Sequence, residues 1–245
     1  MVELSESLKK CRVEGNTLFL PPISEGPLTN YQEVRRVLLK AGAKYKKNAF
    51  VFSTSAKPII DRIIGGENVN PKKEFQFFRT PDDIADRLVE LAEIQRTDEI
   101  CEPSAGDGSI VKAIQRATWP GRVVYGFEIN MEMYDTLDRI PGFRLLGYNF
   151  LGEYKTTFDK IIANPPFSKN QDIDHIKRMY DVLLYGGRLV SVASVHWQFS
   201  GNSKEVNFRK WLKDVKAEII PLEKDTFAES GTSVAACIIV IDKNA

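Results

Sequence analysis

Residues 99–116 read Glu99-Ile100-Cys101-Glu102-Pro103-Ser104-Ala105-Gly106-Asp107-Gly108-Ser109-Ile110-Val111-Lys112-Ala113-Ile114-Gln115-Arg116, a short apolar run, a turn holding two glycines and a helical stretch. We place a strand at Glu99 to Cys101 and a helix at Ser109 to Arg116, joined by the turn. Gly106 and Gly108 allow the backbone to turn tightly and to approach a ligand closely, with a helix N-terminus behind it. Such a turn also serves a bare strand-to-helix connection, so the fold is read from what surrounds it.

Upstream, Pro81 at a first helical position and Ile84, Leu88 and Leu91 at helical spacing predict a helix. Downstream, strands are expected at Val123 to Phe127, Arg144 to Leu146 and Lys160 to Ala163, with a helix around Glu132 to Asp138 between the first two. A helix Ile173 to Leu184 leads through Gly186-Gly187 to a strand Leu189 to Ala193. A helix Glu205 to Val215 and strands Glu218 to Pro221 and Ala235 to Ile241 follow. This alternation predicts an α/β fold with a mostly parallel, doubly wound sheet.

The first third differs. Asn16 to Leu20 reads as a strand, Tyr31 to Ala41 as a helix, Lys44 to Phe52 as a hairpin and Lys57 to Ile64 as a second helix. We expect a small α+β unit over 1–70 and a catalytic domain over 71–245, divided in the polar stretch Glu67 to Lys73. Residues 31–73 carry ten basic and three acidic side chains, a net of +7 inside a chain whose total is +1. The near-neutral total is a cancellation between a basic N-terminal third and an acidic remainder.

The 245 residues suffice for a sizeable core. No apolar run approaches the ~18 residues of a membrane span, and the first residues lack a signal peptide's apolar region. Cys11, Cys101 and Cys237 and two histidines form no metal-ligand spacing, which argues against zinc and against a disulfide framework. No metal, no membrane and a reduced cytoplasm are the expectations.

Three signals carry chemistry. Glu102 precedes Gly106 by four positions, where a carboxylate can meet the cationic amino group of an amino-acid-like ligand. Glu128 closes a strand ~20 residues after the turn, the place where an acidic side chain holds a ribose diol. Each alone reads equally as ordinary strand-end chemistry, and together they point to a nucleoside-type cofactor. The third is Asn164-Pro165-Pro166-Phe167, directly after an apolar strand. Two prolines fix a rigid loop lacking two N–H donors, so an Asn, a free carbonyl and an aromatic ring stand together. That set suits a planar group bearing an NH2.

In this order Thr80-Pro81, the Glu102 to Gly108 turn, Glu128 and Asn164-Pro165-Pro166-Phe167 resemble the class I S-adenosylmethionine-dependent methyltransferases, specifically DNA adenine-N6 enzymes of the gamma motif order. The resemblance covers about Phe75 to Lys243. It implies a Rossmann-like sheet of seven strands with the last antiparallel, and S-adenosyl-L-methionine as cofactor. It implies that Thr80, Glu102, Pro103, Ser104, Ala105, Gly106 and Gly108 contact the methionine moiety and that Glu128, followed by Ile129, holds the ribose. Asn149 and Phe150 are implied beside the adenine, although the family usually has Asp where Asn149 stands. Asn164 also touches the cofactor, and Asn164 to Phe167 form the catalytic loop. The segment Thr226 to Ser233 resembles the one whose aromatic residue packs on a flipped target base, which makes Phe227 the expected partner of Phe167; packing in the core is its alternative. Trp197, in His196-Trp197-Gln198-Phe199, is placed at the pocket mouth as a further stacking ring, again with packing as the alternative.

DNA is the expected partner, its backbone gripped by Arg35, Arg36, Lys44, Lys46 and Lys47. The family's recognition region lies beyond the last strand, where this sequence has only Asn244 and Ala245. Sequence reading is therefore expected from the N-terminal unit, from loops such as Ser200 to Lys204, or from a separate specificity protein. As a whole the chain resembles stand-alone methyltransferases of phages and mobile elements. RNA amino or protein-glutamine methylation remains open, since both use such a loop, as does a modification or scaffold subunit.

Overall fold

A computed structural model describes residues 2–22, 24, 26, 28–52, 55–70, 79–152, 155–224, 226–227 and 234–244. The chain divides into two compact units, residues 1–77 and 78–245.

The first unit contains α1 (Val2–Lys9), β1 (Arg12–Glu14), β2 (Thr17–Phe19), α2 (Tyr31–Lys40), β3 (Lys44–Lys46), β4 (Ala49–Val51) and α3 (Ala56–Ile64). Its four strands lie in the order β1-β2-β4-β3, every pair antiparallel. Leu8, Leu18, Leu38, Phe50, Ile59 and Ile60 form its core. The expected α2, α3 and hairpin are present. The turn of that hairpin is Lys47-Asn48, both at positive φ (47° and 60°), which matches the right-handed twist of the flanking strands. α1 and β1 carry no strong sequence pattern and were not expected. Arg35, Arg36, Lys44, Lys46 and Lys47 are all exposed on this unit.

The second unit contains α4 (Asp82–Ala92), β5 (Ile100–Glu102), α5 (Ser109–Ala117), β6 (Val124–Phe127), α6 (Tyr134–Asp138), β7 (Phe143–Gly147), β8 (Phe158–Ala163), α7 (Gln171–Val182), β9 (Leu183–Ser194), α8 (His196–Phe199), α9 (Ser203–Asp214), β10 (Glu218–Pro221) and β11 (Ala236–Asp242). Seven strands lie in the order β10-β11-β9-β8-β5-β6-β7. β5, β6, β7, β8 and β9 pair in parallel, and β11 runs antiparallel to both β9 and β10. This is the seven-stranded methyltransferase fold that the sequence predicts.

One element is a correction. α7 ends at Val182, where Leu184 was expected, and the strand begins at Leu183, where Leu189 was expected, so Gly186-Gly187 lies within it. Leu183 pairs with Phe158, and the β8–β9 register shifts between Phe158 and Lys160. The glycines sit within that irregularity, where a Cβ on Gly187 would press on the carbonyl oxygen of Asp159. Among the described residues no helix is long and apolar enough to cross a membrane.

The chain order reverses at the centre of the sheet. From β5 it moves to β6 and β7 on one side, then returns to β8 and β9 on the other. Ligands of open α/β sheets bind at such a reversal, beyond the carboxyl ends of the strands. Here those ends are Glu102 on β5 and Ala163 on β8, followed by Asn164.

Candidate active site

Cys101 pairs with Ile161 across β5 and β8, and Glu102 with Gly126 across β5 and β6. Glu102, Glu128 and Asn164 thus lie within two residues of one level at one sheet edge. The fold brings all three sequence signals together.

Gly106 (φ 53°) and Gly108 (φ 77°) both hold the left-handed conformation that glycine adopts without strain. A Cβ on Gly108 would also clash with the Ile140 side chain, so the turn leaves no room for one. Asp107 locks the helix entry, its carboxylate accepting 3.2 Å and 2.6 Å bonds from the Ser109 backbone N–H and hydroxyl. Arg79 pairs with that carboxylate at 3.2 Å. Pro103, Ala105 and Gly106 are buried and Ser104 half-buried.

Glu102 is 1% exposed, and its Oε1 has no hydrogen-bond partner. Burial first, and then the Glu128 and Asp107 carboxylates, push its pKa well above the ordinary glutamate value, against one backbone N–H from Ser104. A carboxyl held this way favours an incoming cation, because a positive charge restores the ionised form. Glu128 is 8% exposed and spans the site. Its two oxygens accept 2.6 Å bonds from the backbone N–H of Gly106 and of Asn130. Burial raises its pKa while the N–H groups of Asn130, Gly106 and Ile129 oppose the shift. Asn130, which sequence reading missed, is 1% exposed with its Nδ2 unpartnered, a free donor beside that carboxylate. Its only sequence signal is a capping-type residue two positions after Glu128.

The Asn164 side-chain Nδ2 donates a 3.1 Å bond to the hydroxyl of Thr80, itself 6% exposed. The amide is thereby oriented with its oxygen as the acceptor left over. Pro165 is buried, and Pro166 and Phe167 are half-buried. The turn after Phe167 includes Lys169 (φ 55°) and Asn170 (φ 57°). Asn170 donates a 2.7 Å bond to Glu205, a 1% exposed carboxylate at the start of α9. Asp172 in turn accepts 2.9 Å bonds from the backbone N–H and hydroxyl of Ser194 at the end of β9. The Asn164–Phe167 loop is thus tied to the neighbouring strand and helix.

The adenine and stacking positions come out differently. Asn149 is exposed and its Oδ1 accepts a 3.0 Å bond from the Leu151 backbone, while Ile129 is 59% exposed. The Phe150 ring is 2% exposed, edge-on to Phe127 at 5.4 Å, so only its backbone can face a ligand. For Trp197 the packing alternative describes this conformation: it is 3% exposed and packs edge-on against Phe208 at 5.3 Å in the core. Phe227 is 2% exposed, so in this conformation it presents no face to a base; Ala228 to Ser233 lie outside the described residues. The exposed ring of this region is Phe199, at 82%. Among the described residues no group of three His, Cys, Asp or Glu side chains is placed to hold a metal.

The strand order is that of the seven-stranded methyltransferase fold, and the glycine turn, Glu128 and Asn164–Phe167 lie along its carboxyl edge. No family model matches the chain. It is 26% identical over 209 residues to the type II restriction enzyme and methyltransferase RM.BcgI of Heyndrickxia coagulans, a match covering 72% of this chain and 32% of that protein. The chain thus spans about a third of the length of this curated relative. Among solved structures it resembles the methyltransferase subunit of a type I restriction-modification system from Streptococcus thermophilus, with TM-score 0.59, 23% identity, and coverage of 69% of this chain and 45% of that one. It also resembles the M protein of the type I restriction enzyme EcoKI, with TM-score 0.57, 16% identity, and coverage of 98% and 57%.

Proposed function

We infer that this protein is an S-adenosylmethionine-dependent methyltransferase acting on the exocyclic N6 amine of adenine in DNA, of the restriction-modification type. The observation that carries the reading is the Asn164 amide, oriented by Thr80 beside Pro165 at the reversal point of the sheet, level with the buried Glu102–Glu128 pair. The cofactor fits the residues present. The unpartnered Glu102 oxygen suits its ammonium, the Gly106–Gly108 turn admits its backbone, and Glu128 with the free Asn130 amide suits its ribose diol. When bound, it supplies a methyl group on a sulfonium sulfur.

The chain's own residues then perform positioning. The adenine amine is a weak nucleophile because its lone pair is delocalised into the ring. Asn164 Oδ1 and the Pro165 carbonyl accept its two hydrogens and hold the nitrogen pyramidal, its lone pair aimed at the methyl carbon. Transfer would break the carbon–sulfur bond and leave a neutral thioether; the methylated nitrogen, then cationic, would lose one proton to solvent, so no strong base is required. A base inside a duplex is out of reach and is flipped out to stack on Phe167. The exposed Arg35, Arg36, Lys44, Lys46 and Lys47 contact the phosphate backbone through the N-terminal unit. Sequence reading falls to the N-terminal unit, to loops such as Ser200 to Lys204, or to a separate specificity protein; the Streptococcus thermophilus structure is itself named as one subunit of a larger system.

The deciding experiment is incubation with labelled S-adenosylmethionine and DNA, RNA or protein, followed by mass spectrometry of the product. N6-methyladenine in DNA is expected. Methylated RNA or a methylated glutamine in its place overturns the substrate assignment.

A further inference from the structure

Phe199 is a large apolar ring that the fold leaves in water, 82% exposed, and its setting explains why. It ends α8, directly after the carboxyl end of β9. β9 pairs with β8 so that Ser191 stands opposite Ala163, and both chains leave the sheet at the same edge. The segment that carries Phe199 therefore leaves the sheet at the same edge as Asn164–Phe167. It is also rigidly mounted. The Arg209 guanidinium on α9 bonds the carbonyl of Trp197 and, at 2.8 Å, that of Ser200, bracketing Phe199 on both sides. Trp197 anchors the same turn in the core. Glu205 then links the two rims, accepting 2.7 Å and 3.4 Å bonds from Asn170 on one side and Asn202 on the other.

A rigidly held, solvated ring beside a transfer pocket has no role in packing. The surrounding charge indicates what covers it. Residues 168–170 and 196–204 contain Lys169, His196 and Lys204 and no acidic side chain. Lys169 is exposed; the His196 side chain, 65% exposed, lies 3.9 Å from the Glu205 carboxylate, and Lys204 pairs at 2.6 Å with Asp174 on α7. An aromatic face with the Lys169 cation on the turn that Glu205 ties to it, and with small polar residues (Ser200, Gly201, Asn202, Ser203) after it, has the composition of a nucleic-acid stacking platform.

We propose that Phe199 stacks on a nucleobase of the bound DNA at the rim of the methyl-transfer pocket and so contributes to DNA engagement. The assignment rests on the DNA reading above and adds a contact which that reading lacks. Phe167 meets the target base inside the pocket, whereas Phe199 meets DNA outside it.

The test uses the full chain and plasmid DNA. Phe199→Ala, Phe199→Leu and Phe199→Trp are compared with wild type for KM and kcat on DNA, for cofactor affinity and for Tm. The ring is solvated, so Tm and cofactor affinity stay at wild-type values in all three. Loss of one stacked base raises KM for DNA about ten-fold in Phe199→Ala. Phe199→Leu, which keeps apolar bulk without a π-face, behaves like the alanine, and Phe199→Trp restores wild-type KM. Stacking carries no counterion release, so the dependence of log KM on log salt keeps its slope. A wild-type KM in Phe199→Ala, or a full recovery in Phe199→Leu, overturns the proposal while leaving DNA methylation standing. A wild-type protein that methylates RNA or protein and not DNA overturns the underlying reading, and this contact with it.

Discussion

The Glu128 carboxylate at the end of β6 accepts a 2.6 Å hydrogen bond from the backbone N–H of Gly106 in the turn after β5. One side chain thus fixes the spacing of two strand ends, and its second oxygen holds Asn130. Glu128→Gln keeps the size but leaves only one acceptor oxygen for two N–H groups. Each charge-assisted bond of this kind is worth ~1.5–3 kcal/mol. S-adenosylmethionine affinity by calorimetry is expected to fall at least ten-fold, with a lower Tm. Unchanged affinity removes Glu128 from the cofactor site.

If the ammonium of the proposed cofactor meets Glu102, its binding is a proton-linked event. Burial raises its pKa well above 4.5, so the cofactor-free protein carries a proton there at pH values where a free glutamate is ionised. Stability of that form therefore falls as pH rises above 4.5, because the unfolded chain ionises first. An ammonium placed against the carboxyl favours ionisation. Binding should release a proton, and affinity should rise with pH through this window. Titration calorimetry in two buffers of different ionisation enthalpy measures the release, and Glu102→Gln should abolish it. Equal proton release by wild type and variant assigns the linkage elsewhere.

The catalytic sheet was legible because its strands are apolar runs separated by helices of clear period, and because the turn and Asn-Pro-Pro-Phe motifs sit where strands end. Less was legible where a tertiary contact decides. In α8 a single turn holds Trp197 and Phe199, and four residues carry no periodicity to show which ring faces inward. Arg209, ten residues beyond Phe199, fixes the turn by bonding the Trp197 and Ser200 carbonyls, which puts Trp197 in the core and Phe199 in solvent. The Phe150 and Phe227 rings are buried for a related reason, since aromatic residues near a sheet edge fill the core as readily as they line a pocket, and core packing was the stated alternative for Phe227. Leu183 and Leu184 read as the end of a helix, whereas Leu183 pairs with Phe158 across the sheet, a tertiary contact that no local pattern shows.

His175 on α7 predicts an acid limit to stability. It is 8% exposed, with Nδ1 unpartnered and its ring 5.8 Å from Phe150. Burial lowers its pKa from 6.5 to about 4, against a smaller opposing effect of Asp174. The folded protein therefore keeps the ring neutral where the unfolded chain already binds a proton. Its contribution is complete above pH 6.5 and is lost as pH falls towards 4. The loss is about 3 kcal/mol by linkage. Denaturant unfolding of wild type and His175→Gln across that range checks this, since the variant should show a shallower decline. Parallel curves assign the acid sensitivity to other groups.

The hairpin β3–β4 tests the grip on the DNA backbone. Lys44, Lys46 and Lys47 are exposed, and Lys47 occupies a left-handed turn position. Lys44→Ala, Lys46→Ala and Lys47→Asn together remove the charge while keeping a residue that tolerates that turn. Each lost phosphate contact lowers the salt slope of log affinity by ~0.9. A triple variant is therefore expected to bind DNA more weakly at low salt and with a slope smaller by up to ~2.7. Wild-type affinity and slope place the DNA contacts outside this hairpin.

Asn164 and Thr80 separate positioning from chemistry. Thr80 accepts the 3.1 Å bond from Asn164 Nδ2, which on the proposed function leaves Oδ1 for the substrate amine. Asn164→Ala removes the acceptor itself, so kcat should fall at least 100-fold, the scale seen when one preorganised hydrogen-bonding group is deleted. Thr80→Val keeps the shape but frees the amide to rotate, and an amide presenting its NH2 repels the hydrogens that it should accept. Its kcat should drop ~10-fold, with KM for DNA unchanged, because a group acting through Asn164 affects the transition state more than binding. In the double variant, the threonine substitution should add nothing once the amide is gone. Single-turnover rates on methylatable DNA measure all three. Additive losses in the double variant mean that Thr80 acts by some route other than the orientation of Asn164.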